Sequence, residues 1–265
     1  MSDLSPTPAN NRPLAVVTGG GRGIGRAIAR ALTGAGYDLV LAARSESELK
    51  LVAEECQNLG GAVVTIPTDL RIPTDIDQLV AATSDVGAPE VLVNNSGIAG
   101  PSGMLWELDP TEWDETMAVN VTAVFLCSRG FLPAMIARGT GSIVNIGSVT
   151  GKRPLLGRSP YATSKLALVG LTRTLALETG PHGIRVNLIS PGFVEGPRIE
   201  WVIERQAEAR GLPPEKVREE FARQSPLGRL TSPDDVARAV VFLASDASSA
   251  ITGADINVNA GVVMY

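Results

Sequence analysis

At 265 residues the chain has room for one large domain or two small ones, and enough length to bury a sizeable core. A hydrophobic share of 44% against 19% charged, with a formal net charge of −5 and no basic run, is that of a soluble globular protein and argues against a nucleic-acid partner. Two cysteines, Cys56 and Cys127, exclude a disulfide framework and read as buried thiols of a reducing, cytoplasmic setting; the one histidine, His182, lies in a turn signal and can build neither a zinc site nor a histidine-based triad.

The opening stretch MSDLSPTPANNRP lacks the basic start and apolar centre of a signal peptide and reads as a flexible tail over residues 1–12. A first strand, LAVVT (14–18), runs into a glycine-rich turn and a helix, GRAIARALTGAG, that stops on glycine. DLVLA (38–42) follows, then a helix opened by a serine cap, SESELKLVAEECQNLG, then AVVTI (62–66) and VLVNN (91–95). The long amphipathic stretch TEWDETMAVNVTAVFLCSRGFLPAMIARG leads to SIVNI (142–146), IRVNLI (184–189) and DINVN (255–259). No apolar run reaches the length of a membrane span by this reading. Several strands are apolar throughout, as parallel strands covered on both faces must be. The alternation predicts a single doubly wound Rossmann-type domain over 13–265, with a mostly parallel seven-stranded sheet. One segment, 198–225, inserts about two charged helices before the last strand. It is expected to form a lid over the carboxyl edge of the sheet, the alternative being a solvated pair of surface helices.

Two short motifs carry chemistry. In TGGGRGIG (18–25), Gly19, Gly23 and Gly25 let backbone amides approach a pyrophosphate at a helix N-terminus, although the spacing is not the general G-x-G-x-x-G. In SPYATSKLAL (159–168), Tyr161 and Lys165 stand one helical turn apart on a shared face. A free tyrosine has a pKa of about 10. A neighbouring ammonium lowers it, so that the phenol can act as general acid or base.

With these motifs in order, the chain resembles the short-chain dehydrogenase/reductase family over nearly all of residues 14–262. The resemblance rests on TGGGRGIG, NNSG (94–97), Asn120 in AVNVT, Ser148 in NIGSV thirteen residues before Tyr161, YATSK (161–165) and NLISPG (187–192). It implies an enzyme that transfers a hydride between a nicotinamide dinucleotide and a secondary alcohol or ketone, whether 3-oxoacyl, sugar or another small carbonyl compound. Tyr161 would move the proton, Ser148 would hold the substrate oxygen, Lys165 would lower the tyrosine pKa and hold the ribose, and Asn120 would fix a water that relays protons from Lys165. Cofactor contacts would extend to Gly21, Arg22, Ile24, Leu70, Ser96 and Gly97. Asp69 would bond the adenine, Asn94 would support the sheet, and Pro191, Gly192 and Val194 would shape the nicotinamide pocket. Ser96 replaces the family's usual alanine, and Gly196 stands where many members have a cofactor-binding threonine. The C-terminal ITGADINVNAG also departs from the usual pattern. An enoyl reductase, which usually spaces its tyrosine and lysine more widely, and a silent dinucleotide sensor are the competing functions.

The acid that selects NAD in dinucleotide folds is expected about 20 residues past the turn. Ala43 stands there, followed by Arg44, so NADP(H) is the expected cofactor with Arg44 and Arg22 facing the 2′-phosphate; NAD(H) remains possible through Glu46 or Glu48. The substrate pocket is expected from 98–106, 150–159 and 198–225, where Lys152, Arg153 or Arg158 could receive an anionic substrate group. The family resemblance also implies pairing of the helices at 112–138 and 160–180 in a homodimer or homotetramer.

Overall fold

Leu14, Ala15, Val16 and Val17 alternate sides of one strand, and all four are buried, Ala15 and Val17 in one apolar cluster and Leu14 and Val16 in another. A strand covered on both faces needs a helical layer on each side. The computed structural model, which describes residues 12–265, has that architecture. In chain order it comprises β1 (Leu14–Thr18), α1 (Gly23–Gly34), β2 (Asp38–Ala43), α2 (Glu46–Asn58), β3 (Val63–Pro67), α3 (Pro73–Val86), β4 (Val91–Asn94), α4 (Pro110–Met117) and α5 (Ala123–Arg138). There follow β5 (Gly141–Ile146), α6 (Val149–Lys152), α7 (Ser159–Thr179), β6 (Ile184–Pro191), α8 (Pro197–Arg210), α9 (Pro214–Arg223), α10 (Pro233–Ala244) and β7 (Asp255–Val258). The seven strands form one sheet in the order β3-β2-β1-β4-β5-β6-β7. Every pairing is parallel, so the sheet is wholly rather than mostly parallel. One face carries Ile28, Leu32, Leu49, Val236 and Val240 from α1, α2 and α10; the other carries Ile76, Leu79, Phe131, Met135 and Ala176 from α3, α5 and α7.

The long helix expected over 111–139 is present over Pro110–Arg138, but it is not α-helical throughout. A single turn of π-helix, Ala118–Thr122, separates α4 from α5. Taken whole, Pro110–Arg138 is long and apolar enough to cross a membrane by length and composition, contrary to the sequence expectation. Its apolar side chains are spent elsewhere: Ala123, Cys127, Phe131 and Met135 are buried against the sheet.

The insertion at the end of β6 is α8 and α9. Ile199, Ile203, Ala207, Val217 and Phe221 form a small core of their own, so it is more than a solvated helix pair. Phe193, just past β6, meets Phe221 edge to face with ring centres 4.9 Å apart and anchors the insertion to the sheet.

The expected tail lies outside the described residues except for Arg12, which belongs to the fold. Its guanidinium donates to the carbonyls of Thr33, Gly36 and Gly60 at the carboxyl ends of α1 and α2. A cation is favourable there because the last carbonyls of a helix lack intrahelical donors.

Candidate active site

β1 leads its chain towards β2 on one side of the sheet, while the adjacent β4 leads towards β5 on the other. The loops beyond them diverge and leave a crevice at the carboxyl edge. The glycine turn fills one wall. Gly19 has φ +66°, a conformation glycine adopts at no steric cost. A Cβ on Gly25 would lie 2.0 Å from the Gly19 carbonyl oxygen, so only glycine lets α1 start this close to the strand. The Asn95 amide nitrogen donates to the carbonyls of Thr18 (2.9 Å) and Gly19 (3.2 Å) and ties the turn to the end of β4. The Thr18 hydroxyl accepts from the backbone amides of Asn95 and Ser96. No side chain caps the N-terminus of α1 and no acid stands in its first turn. Its amides at Gly23, Ile24 and Gly25 are therefore available to an anion, and the residues present fit a pyrophosphate.

Next to this wall, β2 is followed directly by Arg44. It borders a hollow of about 280 Å³ with Ile98, Gly100, Glu112 and Glu115. No carboxylate pairs with Arg44 among the described residues. The acids considered as counterweights are engaged, Glu46 with Lys50 at 2.7 Å and Glu48 near Arg22 at 3.7 Å. Asp69 is engaged as well: Arg71 donates to both of its carboxylate oxygens, and this pairing outweighs burial in holding the Asp69 pKa below the ordinary carboxylate range. Its backbone amide donates to Asp75. Leu70 beside it is buried.

Opposite the glycine turn, α7 presents Tyr161 and Lys165. Lys165 is only 4% exposed, and its ammonium donates to the Ile146 carbonyl at 2.8 Å. Burial presses its pKa down and Arg198 adds to this, while Tyr161 opposes them. The Lys165 Nζ stands 5.8 Å from the centre of the Tyr161 ring. Burial alone would raise the Tyr161 pKa. The charges of Lys165, Arg198 and Arg158, with hydrogen bonding to Ser148, reverse that, and the phenol lies below its usual value. Ser148 caps the short helix α6, its hydroxyl oxygen accepting from the Thr150 amide at 3.1 Å, which leaves its own O–H to donate.

Asn120 lies in the π turn and is fully buried. It holds the Ile98 backbone at both ends, accepting from its amide (2.8 Å) and donating to its carbonyl (3.0 Å). Its amide nitrogen also donates to Ser164 Oγ, and Ser164 in turn donates to the Tyr161 carbonyl. The side chain thus positions the 97–98 backbone and α7. A Cβ on Gly97 would meet Lys165 Nζ and Asn120 Oδ1 at 3.2 and 3.3 Å.

Under the site runs a buried polar chain. Asn94 donates to Asn145 (2.9 Å) and to Ser128, and Asn145 donates to Thr172, which links β4, β5, α5 and α7. Beyond β6, Pro191 is buried and Gly192 packs against Asn259. A parallel bridge of Val194 to Thr231 uses the Phe193 carbonyl and the Glu195 amide, so the amide and carbonyl of Val194 itself stay outside it. Gly196 is the N-cap of α8, with φ +138°, and has no side chain to offer.

Of the basic residues after Ser148, two are committed. Lys152 forms a largely buried pair with Asp255 (2.9 Å) and donates to Asn257 (2.6 Å). Arg158 donates to Ser102 Oγ and the Ala99 carbonyl, holding the 99–102 loop. Arg153 is exposed. His182 is an exposed loop residue, and Cys56 and Cys127 are buried free thiols. Sequence reasoning missed Asn95, Ser164 and Arg198. Asn95 alone had a readable signal, an asparagine at the end of a strand beside a glycine turn.

The family profile described as Enoyl-(Acyl carrier protein) reductase matches residues 19–263. Galactitol 2-dehydrogenase of Rhizobium johnstonii is 40% identical over 256 residues, 95% of each chain. A Phe-to-Trp variant of actinorhodin polyketide ketoreductase, crystallised with NADPH, superposes with a TM-score of 0.91 at 35% identity and covers 98% of this chain and 100% of its own. NAD⁺-bound xylitol dehydrogenase superposes with a TM-score of 0.87 at 28% identity, over 93% and 97% of the two chains.

The Lys152–Asp255 pair couples α6, and so Ser148, to β7. Lys152→Met leaves a largely buried carboxylate without its cation and is expected to cost about 3–5 kcal/mol in urea unfolding. Adding Asp255→Asn should recover much of that loss; a single variant as stable as the parent would show that the pair contributes nothing.

Proposed function

The chain belongs to the short-chain dehydrogenase/reductase family, an NAD(P)-dependent oxidoreductase acting on CH–OH groups, and from that premise we propose that it interconverts a small ketone and its secondary alcohol with NADPH as the preferred reductant. The observation that carries the reading is the Tyr161 phenol, brought below its usual pKa beside the buried Lys165 ammonium and the Ser148 hydroxyl.

The dinucleotide would lie along the glycine turn and past Ser96, Gly97 and Pro191 to Val194, and when bound it supplies the hydride chemistry. The protein's own groups handle the oxygen. The Ser148 O–H donates to the substrate oxygen and stabilises charge that develops there. In reduction Tyr161 Oη donates its proton to that oxygen. In oxidation the phenolate, favoured by Lys165, accepts the hydroxyl proton. One Lys165 N–H is fixed by Ile146. The others are free for a ribose hydroxyl or a water, the relay in which Asn120 is proposed to assist by holding the loop at Ile98. The spacing of Tyr161 and Lys165, closer than enoyl reductases of the family usually have, supports carbonyl over enoyl chemistry.

The α8–α9 pair is proposed to act as a lid. Its Trp201, with Leu105 and Trp106 of one rim loop and Leu155 and Leu156 of the other, leaves large apolar side chains exposed on all three segments expected to form the pocket. Such a rim suits a substrate with an apolar body, of 3-oxoacyl or related type. On the outer side, α5 and α7 expose Phe125, Leu166 and Leu177, the last at 81%. This supports assembly through these helices into a dimer or tetramer, which light scattering of a monomer at micromolar concentration would refute. Buried cysteines, with the Cys127 thiol pushed up to about 12 by burial, suit the cytoplasm.

Tyr161→Phe removes the proton carrier and keeps the ring. Turnover should fall by about 10²–10⁴ with dinucleotide binding retained in a fluorescence titration. In the parent, alcohol oxidation should rise with pH, and ketone reduction fall, through an inflection below the ~10 of free tyrosine. A pH profile with its inflection at or above that value would remove Tyr161 from the proton transfer.

An unpaired Arg44 after uncharged Ala43 favours the 2′-phosphate. A charge-assisted hydrogen bond contributes roughly 1.5–3 kcal/mol, or about tenfold or more in affinity. Parent kcat/KM should therefore favour NADPH over NADH at least tenfold, and Ala43→Asp with Arg44→Ala should reverse the order. Equal use of both cofactors by the parent would count against Arg44.

A further inference from the structure

The Tyr161 ring is surrounded by three cations. The guanidinium carbon of Arg158 lies 5.3 Å from the ring centre, Lys165 Nζ lies at 5.8 Å, and the guanidinium carbon of Arg198 lies at 5.9 Å. Two of the three have other duties, Arg158 on the 99–102 loop and Lys165 on the Ile146 carbonyl. Arg198 does not. The α8–α9 insertion holds five arginines, and four of them pair with glutamates: Arg205 with Glu208, Arg210 with Glu220, Arg218 with Glu200 and Arg223 with Glu219. Even Glu200, two residues from Arg198, is taken by Arg218. Arg198 has no carboxylate partner among the described residues, and it stands in the first turn of α8, exposed and facing the tyrosine.

Like charges this close repel one another, and the charges acting on Lys165 and Arg158 are those of Tyr161 and Arg198, with no carboxylate among them. An anion placed among them relieves the repulsion. A guanidinium with a free edge matches the two oxygens of a carboxylate bidentately. We propose that the substrate is an oxo acid whose carboxylate is received by Arg198 while its carbonyl oxygen lies at Tyr161. The inference rests on the ketone–alcohol reading above and adds the substrate's charge. It assigns to the insertion the role that the sequence had offered to Lys152, Arg153 or Arg158. Because Arg198 sits on the insertion and Tyr161 on α7, a bound oxo acid would bridge the two elements.

The test compares acids with their own methyl esters, which share the carbonyl and lack the charge: acetoacetate with methyl acetoacetate, and 4-oxopentanoate with methyl 4-oxopentanoate. The NADPH-loaded parent should prefer at least one acid over its ester by tenfold or more in kcat/KM. In Arg198→Ala that ratio should fall to near one, and Arg198→Lys should restore only part of it. The ratio at one pH is unaffected by any change in Tyr161, which acts on acid and ester alike. Equal use of acid and ester by the parent overturns the proposal. So does a ratio unchanged in Arg198→Ala, or a loss that strikes acid and ester equally and shifts the pH inflection, since Arg198 would then act on the tyrosine alone. If the parent reduces none of the four compounds, the oxidoreductase reading fails for them, and Trp fluorescence titration of the NADPH-loaded protein decides separately. Acetoacetate binding tenfold tighter than its ester, lost in Arg198→Ala, supports the anion site; no discrimination removes it.

Discussion

Seven strands that all run the same way deliver every carboxyl end to a single edge of the sheet. The parallel arrangement forces each connection to cross over through a helix, and each helix returns to the opposite edge before the next strand begins. Loops at the carboxyl edge are thereby released from the work of holding the sheet together. The glycine turn after β1, the Asn95–Gly97 stretch after β4, Ser148 after β5 and the Gly192–Val194 stretch after β6 are all such loops. Residues scattered over more than a hundred positions of sequence meet there because of direction alone.

Bringing them together has an electrostatic cost. An ammonium as deeply buried as Lys165 needs compensating groups, and its surroundings supply one carbonyl and one phenol. Neutral donors and acceptors do most of the remaining positioning: Asn94 to Asn145 to Thr172 below the site, Asn120 to Ser164 beside it. Amide and hydroxyl networks fix geometry without adding charge, so the field at the tyrosine is left to Lys165, Arg158 and Arg198. The fully paired ion pair, Lys152 with Asp255, is kept one turn away, where its charges cancel and it serves to brace α6.

Much of this was legible in the chain itself. The strands were, because fully covered parallel strands are apolar runs bounded by glycine and polar turns, and the observed limits differ from the expected ones by a residue or two. The tyrosine, lysine and serine were legible because their spacing is local to a helix and a loop. What could not be read depends on partners remote in sequence. Lys152 and Arg158 looked like free cations for a substrate; their partners Asp255 and Ser102 come from segments that no local pattern connects to them. Asp69 is a different case, since Arg71, which donates to its carboxylate, stands only two residues on. Arg198 carried no signal, since its significance lies in being the one arginine of its segment that the surrounding glutamates leave alone. The π turn in the long helix was equally silent, because Ala-Val-Asn-Val-Thr has no glycine or proline to announce it.

That turn has a consequence for how the chain tolerates change in length. A π turn accommodates one residue more than the α-helix around it, and such turns are found mostly at functional sites. Asn120 reaches Ile98 and Ser164 from inside it, while α5, beginning at Ala123, turns a separate stripe of Cys127, Phe131 and Met135 onto the sheet. Deleting one residue of 118–122 would let the backbone close into an unbroken α-helix with α5 still nearly in phase with α4, because a π turn takes up one extra residue within about one turn of helix. The sheet-facing stripe would keep its place, and what would be lost is the bulge from which Asn120 reaches Ile98 and Ser164. The extra residue is absorbed without moving the stripe, and a gap at this point in a related chain would mark one that anchors its loop by other means.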